Sequence, residues 1–327
     1  MIRINRSLLN YQLKKNTIYS LALKNRAEYY SSLKEKDLHT IMEESKSRVI
    51  IHNDEEDKRK INIEIVPPPT SKKPRAVVDL KLMKEELKQL EDPPMTPWEK
   101  KISSNRLPYS FYDVPCKTLA KSILGKVLVR KLENGTILKG RIVETESYLG
   151  IEDGASHTFK GKVTPRNTPM YMKPGTIYVY FTYGMYHCFN ISSQEEGSAV
   201  LVRALEPLEG IDQMAQHRSL KPGAKEQKKL SKELKTHELC NGPSKICMAL
   251  QLEKQHSKYS MCSWKELWLE DDGTKEEIKI VECPRIGIES SGVEWSQKPL
   301  RYYIYGHKCV SKRDKKAELQ FNISQTN

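Results

Sequence analysis

Two carboxylates and a tyrosine alternate along one predicted strand, in the sequence RIVETESYLG at positions 141–150. Because successive side chains in a strand point to opposite faces, Glu144, Glu146 and Tyr148 share one face. A carboxylate beside an aromatic ring could act as a general base that orients and deprotonates a water molecule. Glu144 could disfavour the charged form of Glu146 by like-charge repulsion, or it could belong to a salt bridge. Taken alone, the pattern is more typical of an exposed strand glutamate than of a catalytic base.

A tyrosine-rich hairpin is predicted from MYMKPGTIYVYFTYGMYHCFN at positions 170–190. Tyr180 belongs to its first strand, the alternation breaks at the turn, and the second strand runs to Asn190. Tyr183 and Met185 then lie at a protruding tip, where large apolar side chains indicate contact with a partner. Strand tyrosines are otherwise typical of a core, and the asparagine could simply close the hairpin through backbone hydrogen bonds.

Two short segments are candidates for anion binding. GKVTPRN contains Lys162, Thr164 and Arg166, and NGPSK contains Ser244 and Lys245. Backbone amides and small hydroxyls at a turn that opens a helix bind anions readily, and basic side chains add positive charge. Basic loops are otherwise merely solvated, so each segment alone is a weak signal.

The composition fits a polyanion partner. The 327 residues carry a formal net charge of +13, although many basic proteins bind no nucleic acid. Seven scattered cysteines, without a CxxC motif or zinc spacing, predict a reduced intracellular protein with no metal and no other cofactor. No apolar run reaches the roughly 18 residues of a membrane span, so no membrane association is expected.

The order of elements favours an α+β fold. Apolar spacing predicts a helix around Leu119 that ends at Gly125, and the turn Asn134-Gly135 predicts a hairpin that leads into the strand with the carboxylates. Further strands are expected after the tyrosine hairpin, at 199–204, 281–288 and 300–305. We predict one compact domain, residues 104–315, with a mostly antiparallel sheet, flanking helices and the protruding hairpin.

The regions on either side of this domain are predicted to lack a stable fold. Residues 1–103 are basic and poor in aromatic residues, so they are expected to be disordered, and 316–327 are expected to form a flexible tail. Six basic residues and no acidic residue precede Glu28, which is typical of a mitochondrial transit peptide or of a plain basic tail. Short basic runs at 58–60 and 72–75 are compatible with nuclear import.

Several long strings resemble one family, the alkyladenine (3-methyladenine) DNA glycosylases of the mammalian type. They are GRIVETESYLG, TPRN, MKPGTIYVYFTYGMYHCFNISS, VLVRALEPLEG, ELCNGPSKIC and PLRYYIYG, and they follow the family order from Leu107 to Cys309. The resemblance implies a monomeric, monofunctional glycosylase of base excision repair. It would flip alkylated and deaminated purines out of double-stranded DNA and hydrolyse their glycosidic bonds, leaving an abasic site.

The resemblance also assigns roles to the candidate residues. It implies a general base at Glu146, a water-holding arginine at Arg203, a base pocket of Tyr148, His157 and Tyr180, a filter against guanine at Asn190, intercalation by Tyr183 and Met185, and phosphate binding by Lys162, Thr164, Arg166, Ser244 and Lys245. The family more often has arginine where Lys162 stands, which keeps the charge but changes the geometry. An arginine among valines and leucines, as Arg203 is, could otherwise be a buried ion-pair partner.

Two other functions fit the same residues. A non-catalytic nucleic-acid or chromatin-binding module would use the basic surface and the aromatic tip without the carboxylate. An RNA-modifying enzyme would share the pocket but not the substrate. The resemblance favours the glycosylase, with a nuclear location and a mitochondrial one as a further option.

Overall fold

The computed structural model describes residues 48–52, 62–66, 95–182, 184–219, 234–271, 273 and 278–326. The chain divides into two compact units, Met1–Ala76 and Val77–Asn327. In the first unit, strand β1 (Arg48–His52) pairs antiparallel with strand β2 (Asn62–Val66). Residues 1–103, predicted to be disordered, thus include this ribbon and helix α1 (Pro97–Ile102). Residues 1–47, 53–61 and 67–94 lie outside the described ranges.

The second unit contains a sheet of eight described strands, and each pair of neighbours is antiparallel. The strands are β3 (Val127–Lys131), β4 (Ile137–Tyr148), β5 (Ile177–Thr182), β6 (Tyr186–Ser192), β7 (Ala199–Glu209), β8 (Leu267–Glu270), β9 (Ile280–Cys283) and β10 (Arg301–Ile304). The order across the sheet is β5-β6-β7-β4-β10-β9, and β3 lies between the first part of β4 and β8.

Helices flank this sheet, which confirms the predicted α+β class. They are α2 (Tyr109–Tyr112), α3 (Cys116–Ser122), α4 (Ile211–Ser219), α5 (Pro243–Ala249), α6 (Val293–Ser296) and α7 (Lys315–Thr326). The main core lies between helices and sheet. It buries Leu119 of α3, Ile142 of β4, Phe189 of β6, Leu205 of β7 and Ile246 of α5 completely.

The turn chemistry correctly predicted two hairpins. Asn134-Gly135 joins β3 to β4, and Gly135 has φ +86°, a left-handed conformation that glycine adopts without strain. β5 and β6 pair from Ile177–Ile191 to Thr182–Tyr186. Tyr183, at the tip between them, lies outside the described residues.

Strand β4 positions the predicted carboxylates. All six residues from Ile142 to Ser147 are buried, because β4 lies between β7 on one side and β3 with β10 on the other. The pairing with β7 shifts register on both sides of Glu144, and irregularities of this kind re-aim side chains near active sites. The two carboxylates therefore face the interior of the domain.

The C-terminal segment differs from the flexible tail that the sequence predicts, because α7 packs on the domain. Phe321 stacks on Tyr305 with ring centroids 5.4 Å apart. The carboxylate of Glu318, 8% exposed, accepts hydrogen bonds from the Tyr303 hydroxyl and from Arg313. These tertiary contacts, rather than the local sequence pattern, hold the helix in place.

Candidate active site

Glu146 is fully buried and meets three groups on different parts of the chain, two through hydrogen bonds and one through an ion pair. Its Oε1 accepts from the backbone N–H of Ile286 at 2.8 Å and lies 3.2 Å from Nη1 of Arg203. Its Oε2 accepts from the hydroxyl of Tyr148 at 3.0 Å. A buried carboxylate is costly unless it is paired and hydrogen-bonded. The alternative of an exposed strand glutamate does not fit this environment.

Arg203, on β7, bridges the two carboxylates of β4. Its Nε donates to Oε1 of Glu144 at 3.1 Å while its Nη1 contacts Glu146. Burial alone would lower the pKa of Arg203, but the charges of Glu146 and Glu144 outweigh it and raise that pKa above its usual value. Arg203 is therefore a buried ion-pair partner, as its apolar neighbours suggested, and it is also fixed against the candidate base.

Glu144 belongs to a salt bridge, one of the two alternatives that the sequence left open. Its carboxylate accepts from Arg203, from Nη1 of Arg301 at 2.9 Å, and from both the backbone N–H and the hydroxyl of Ser311 at 2.6 and 2.9 Å. Two guanidiniums thus lie beside this carboxylate, so they offset its repulsion of the neighbouring Glu146.

Tyr148 lies between Glu146 and a second buried ion pair that the sequence did not reveal. The guanidinium of Arg285 covers the Tyr148 ring at 4.7 Å from the centroid and donates to Asp153 through Nη2 at 2.8 Å. Burial raises the pKa of Tyr148 well above its usual range, and the charge of Glu146 and the nearby Tyr180 add to the rise. The phenol therefore stays protonated and donates its hydrogen bond to Glu146.

An aromatic cluster faces the Tyr148 side of the site. His157 meets Tyr180 edge to face with centroids 4.7 Å apart, and its Nδ1 lies 2.9 Å from the hydroxyl of Tyr178. Tyr178 and Tyr180 are tilted neighbours with centroids 5.3 Å apart. Burial, together with the positive charges of Arg166 and Lys162, lowers the pKa of His157 to about 4. The imidazole is therefore neutral near neutral pH.

The site combines a buried carboxylate, its hydrogen-bond donors and an aromatic cluster. Comparison with known families identifies the proteins to which this chain is similar. A family model described as methylpurine-DNA glycosylase matches residues 110–308. The chain belongs to this family. It is accordingly a DNA glycosylase, an enzyme of DNA repair that hydrolyses N-glycosidic bonds. Ser311 and Lys312 lie just beyond the matched residues.

Curated relatives of this glycosylase come from animals and from bacteria. A DNA-3-methyladenine glycosylase of Homo sapiens is 50% identical over 215 residues, which are 65% of this chain and 70% of that protein. One of Mus musculus is 49% identical, over 68% of this chain and 66% of that protein. A putative 3-methyladenine DNA glycosylase of Clostridium perfringens (strain SM101 / Type A) is 45% identical, over 64% of this chain and all of that protein.

Asn190 of the glycosylase is buried at the base of the hairpin. Its Nδ2 donates to the backbone carbonyls of Tyr178 at 3.1 Å and Cys188 at 3.4 Å. The amide therefore does bond to the hairpin backbone, the simpler alternative in the sequence. These bonds also fix its orientation, which a filter would require.

The basic loop of the glycosylase surrounds a cavity of about 290 Å³. The lining residues are Gly154, Ser156, His157, Phe159, Lys162, Thr164, Arg166 and Asn167. Asn167, which the sequence did not single out, organises the loop. Its side chain accepts from the backbone N–H of Thr164 at 2.7 Å and donates to the carbonyls of His157 and Lys162 at 2.8 Å.

Arg166 reaches into the aromatic cluster. Its guanidinium lies over the Tyr180 ring, 4.9 Å from the centroid, although the residue is exposed and was predicted to bind phosphate. Lys162 is exposed at the rim of the same cavity. The structure thus brings Arg166 close to Tyr180 and Lys162 close to His157.

Two large apolar side chains near the hairpin tip are exposed. Met185 is 51% exposed and Phe181 is 45% exposed. Phe181 was missed in the sequence analysis because the strand alternation places it on the face opposite Tyr180.

The two phosphate candidates on α5 differ from those in the basic loop. Ser244 is half-buried, and Lys245 donates to Oδ1 of Asn241 at 2.6 Å. Burial and the charge of Arg218 lower the pKa of Lys245.

Neither a metal centre nor a membrane span occurs in the described part of the chain. No group of three or more histidine, cysteine or acidic side chains there could hold a metal ion. No described helix is both long and apolar enough to cross a bilayer.

Proposed function

We propose that the enzyme excises 3-methyladenine, 7-methylguanine, hypoxanthine and ethenoadenine from double-stranded DNA by direct attack of water, as a step of base excision repair. The observation that supports this most is the buried Glu146, held by Arg203 and Tyr148 beside an aromatic cluster. The product is an abasic site.

Glu146 has hydrogen-bonding capacity left for the attacking water. A carboxylate offers about four lone-pair positions, and the described residues fill two on Oε1 and one on Oε2. The remaining position on Oε2, next to the Tyr148 hydroxyl, accepts a hydrogen bond from water. Glu146 then takes the proton as the water attacks the anomeric carbon, and the electrons of the broken bond leave with the base. The same negative charge stabilises the positive charge that develops on the sugar.

The aromatic cluster suits an electron-poor base. A cation over an aromatic face is attracted by ~2 kcal/mol when it is desolvated, and 3-methyladenine and 7-methylguanine are positively charged. His157 is neutral because burial lowers its pKa to about 4, so it does not repel such a base. Arg166 already lies on the Tyr180 ring and would have to share or leave that face.

Asn190 would disfavour guanine. Its amide is held by Tyr178 and Cys188 and cannot turn freely to accommodate the exocyclic amine of guanine. A polar group left without a partner there costs ~1 to 3 kcal/mol. Purines that lack this amine would fit without the penalty, whereas 7-methylguanine, which carries it, would offset the penalty by the attraction of its positive charge to the aromatic cluster.

The hairpin tip and the basic residues would hold the duplex. Tyr183 and Met185 would fill the gap left by the flipped nucleotide. Lys162, Thr164, Arg166, Ser244 and Lys245 would contact phosphates, with one protein molecule on each lesion. Nuclear action, and mitochondrial action as an option, is proposed from the basic N-terminal segments, which lie largely outside the described residues.

A panel of duplexes with single lesions tests this function. We expect abasic sites from all four lesions, and far fewer from undamaged duplex or from the same modified bases in RNA. Tight, lesion-independent binding without any abasic product would support a nucleic-acid-binding module instead. Faster excision from RNA than from duplex DNA would support an RNA-modifying enzyme.

A further inference from the structure

Glu144 has no role in the proposed chemistry, yet its carboxylate is bonded as fully as a carboxylate can be. Four donors reach it: Nε of Arg203, Nη1 of Arg301, and the backbone N–H and hydroxyl of Ser311. Glu144 is fully buried. Two of its four donors belong to one residue, Ser311, in the segment that connects β10 to α7.

The same segment makes a second contact to the site through Arg301. Nη1 of Arg301 donates to the carbonyl of Lys312 at 2.7 Å as well as to Glu144, and its Nε donates to the carbonyl of Pro284 at 2.9 Å. Pro284 lies two residues before Ile286, whose N–H donates to Glu146. We call Ser311 and Lys312 the C-terminal clamp. The clamp therefore contacts the network that holds Glu146 from two directions.

We propose that Ser311 and Glu144 are positioning residues, which fix the guanidinium of Arg203 so that its Nη1 points at Glu146. The proposal rests on the function proposed above. Arg203 contacts Glu144 through Nε and Glu146 through Nη1, so the two carboxylates share one guanidinium. The orientation of this guanidinium depends on how strongly each of the two carboxylates attracts it.

Ser311 determines how the guanidinium of Arg203 is shared between Glu144 and Glu146. With the Ser311 donors present, Glu144 is satisfied and takes only Nε from Arg203. Without the Ser311 hydroxyl, the buried carboxylate would keep the backbone N–H but lose one of its four donors, and it would draw the guanidinium toward itself. Glu146 would then lose a donor, and the water that it holds would shift from its line of attack. Small displacements of this kind slow chemistry more than they weaken binding.

An ion pair with α7 anchors the segment that contains the clamp. This ion pair makes it possible to test the positioning role separately from folding. Arg313, next to the clamp, pairs with Glu318 through Nε at 2.7 Å and Nη2 at 2.8 Å and does not touch Glu144. Removing this ion pair loosens the same segment without removing a donor to Glu144. Arg313 therefore supplies a matched control for Ser311.

Single-turnover excision of ethenoadenine from a duplex tests the proposal with the full chain. The concentration dependence of the rate separates the maximal rate from half-saturation. For Ser311→Ala we expect the maximal rate to fall about tenfold, which corresponds to ~1.4 kcal/mol, with half-saturation unchanged. Ser311→Thr, which keeps the hydroxyl, should restore most of the rate. Arg313→Ala should lower the melting temperature but leave the maximal rate at its original value.

Two results would overturn the positioning role. One is a Ser311→Ala enzyme that excises at the rate of the unsubstituted chain. The other is an Arg313→Ala enzyme that loses as much rate as Ser311→Ala, which would mean that the segment acts through folding alone. If the unsubstituted chain excises no lesion, the proposed function itself fails, and the positioning role fails with it.

Discussion

At the scale of single residues, the site is a balanced set of buried charges. Three arginines pair with three carboxylates around the candidate base. The strand alternation predicted that Glu144, Glu146 and Tyr148 would share a face. It could not predict the ion pairs and hydrogen bonds around them, because the partners are far apart in the sequence. Asp153 and Arg285 are 132 positions apart, and Glu144 and Ser311 are 167 apart. Such pairs are set by the packing of distant segments, which local patterns do not record.

Asn190→Ser tests the filter against guanine. Shortening the side chain removes the amide that bonds to Tyr178 and Cys188 and opens space at the base edge. We expect excision of mismatched guanine to rise relative to hypoxanthine by about tenfold, the equivalent of ~1.4 kcal/mol of discrimination. The rates on both lesions should be measured in parallel with the unsubstituted enzyme. An unchanged ratio would mean that Asn190 only closes the hairpin.

At the scale of elements, turn chemistry predicted more than helix periodicity did. Asn134-Gly135 correctly marked the first hairpin, and the break in the tyrosine-rich alternation marked the second. Gly135 and Gly184 both adopt a positive φ that other residues avoid. The sequence missed α7, because its helical pattern is weak and its stability comes from contacts such as Phe321 on Tyr305. Tertiary packing overrides local propensity in this way.

Tyr183→Ser tests the hairpin between β5 and β6 as the element that keeps the duplex open. Extruding a base costs a few kcal/mol, and a side chain that fills the gap offsets part of this cost. The emission of an ethenoadenine duplex reports unstacking, and we expect the variant to give a smaller flipped fraction at saturation. Glu289→Gln, a change on the exposed surface, serves as the control. Equal flipped fractions for Tyr183→Ser and the unsubstituted enzyme would exclude a wedge role.

At the scale of the whole molecule, the excess of positive charge and two of the histidines make behaviour depend on salt and pH. The formal net charge of +13 favours association with a polyanion. The composition alone indicated this much. It could not place the basic residues Lys162 and Arg166 at the rim of one cavity, because that arrangement depends on how Asn167 folds the loop.

The salt dependence of binding tests the proposed phosphate contacts. Each neutralised phosphate contributes a slope of about 0.9 in a plot of log affinity against log salt. Replacing Lys162 and Lys245 with alanine should flatten this slope by roughly one to two units. Affinity for damaged and undamaged duplex should fall alike, because phosphate contacts carry no sequence information. An unchanged slope would place the duplex on another surface.

Acid should destabilise the fold through two histidines, the half-buried His157 and the buried His256. Burial lowers the pKa of His157 and of His256 from 6.5 to about 4. The unfolded chain therefore binds protons at these histidines near pH 6.5, whereas the folded chain binds them only near pH 4. Because the unfolded chain binds more protons between these values, the free energy of unfolding falls as pH drops across this window. Denaturant titrations across the window should show the decline, and His256→Gln should reduce its slope. A pH-independent unfolding free energy would contradict the assignment.

The most direct test of the account is single-turnover excision by Glu146→Gln, compared with Glu289→Gln as an exposed change of the same kind. The substitution keeps the shape of the buried side chain but removes the charge that takes the proton from water. We expect excision to fall by at least ~100-fold while binding of lesion duplex is retained, and Glu289→Gln to match the unsubstituted enzyme. Excision by Glu146→Gln near the original rate would contradict the assignment of Glu146 as the base.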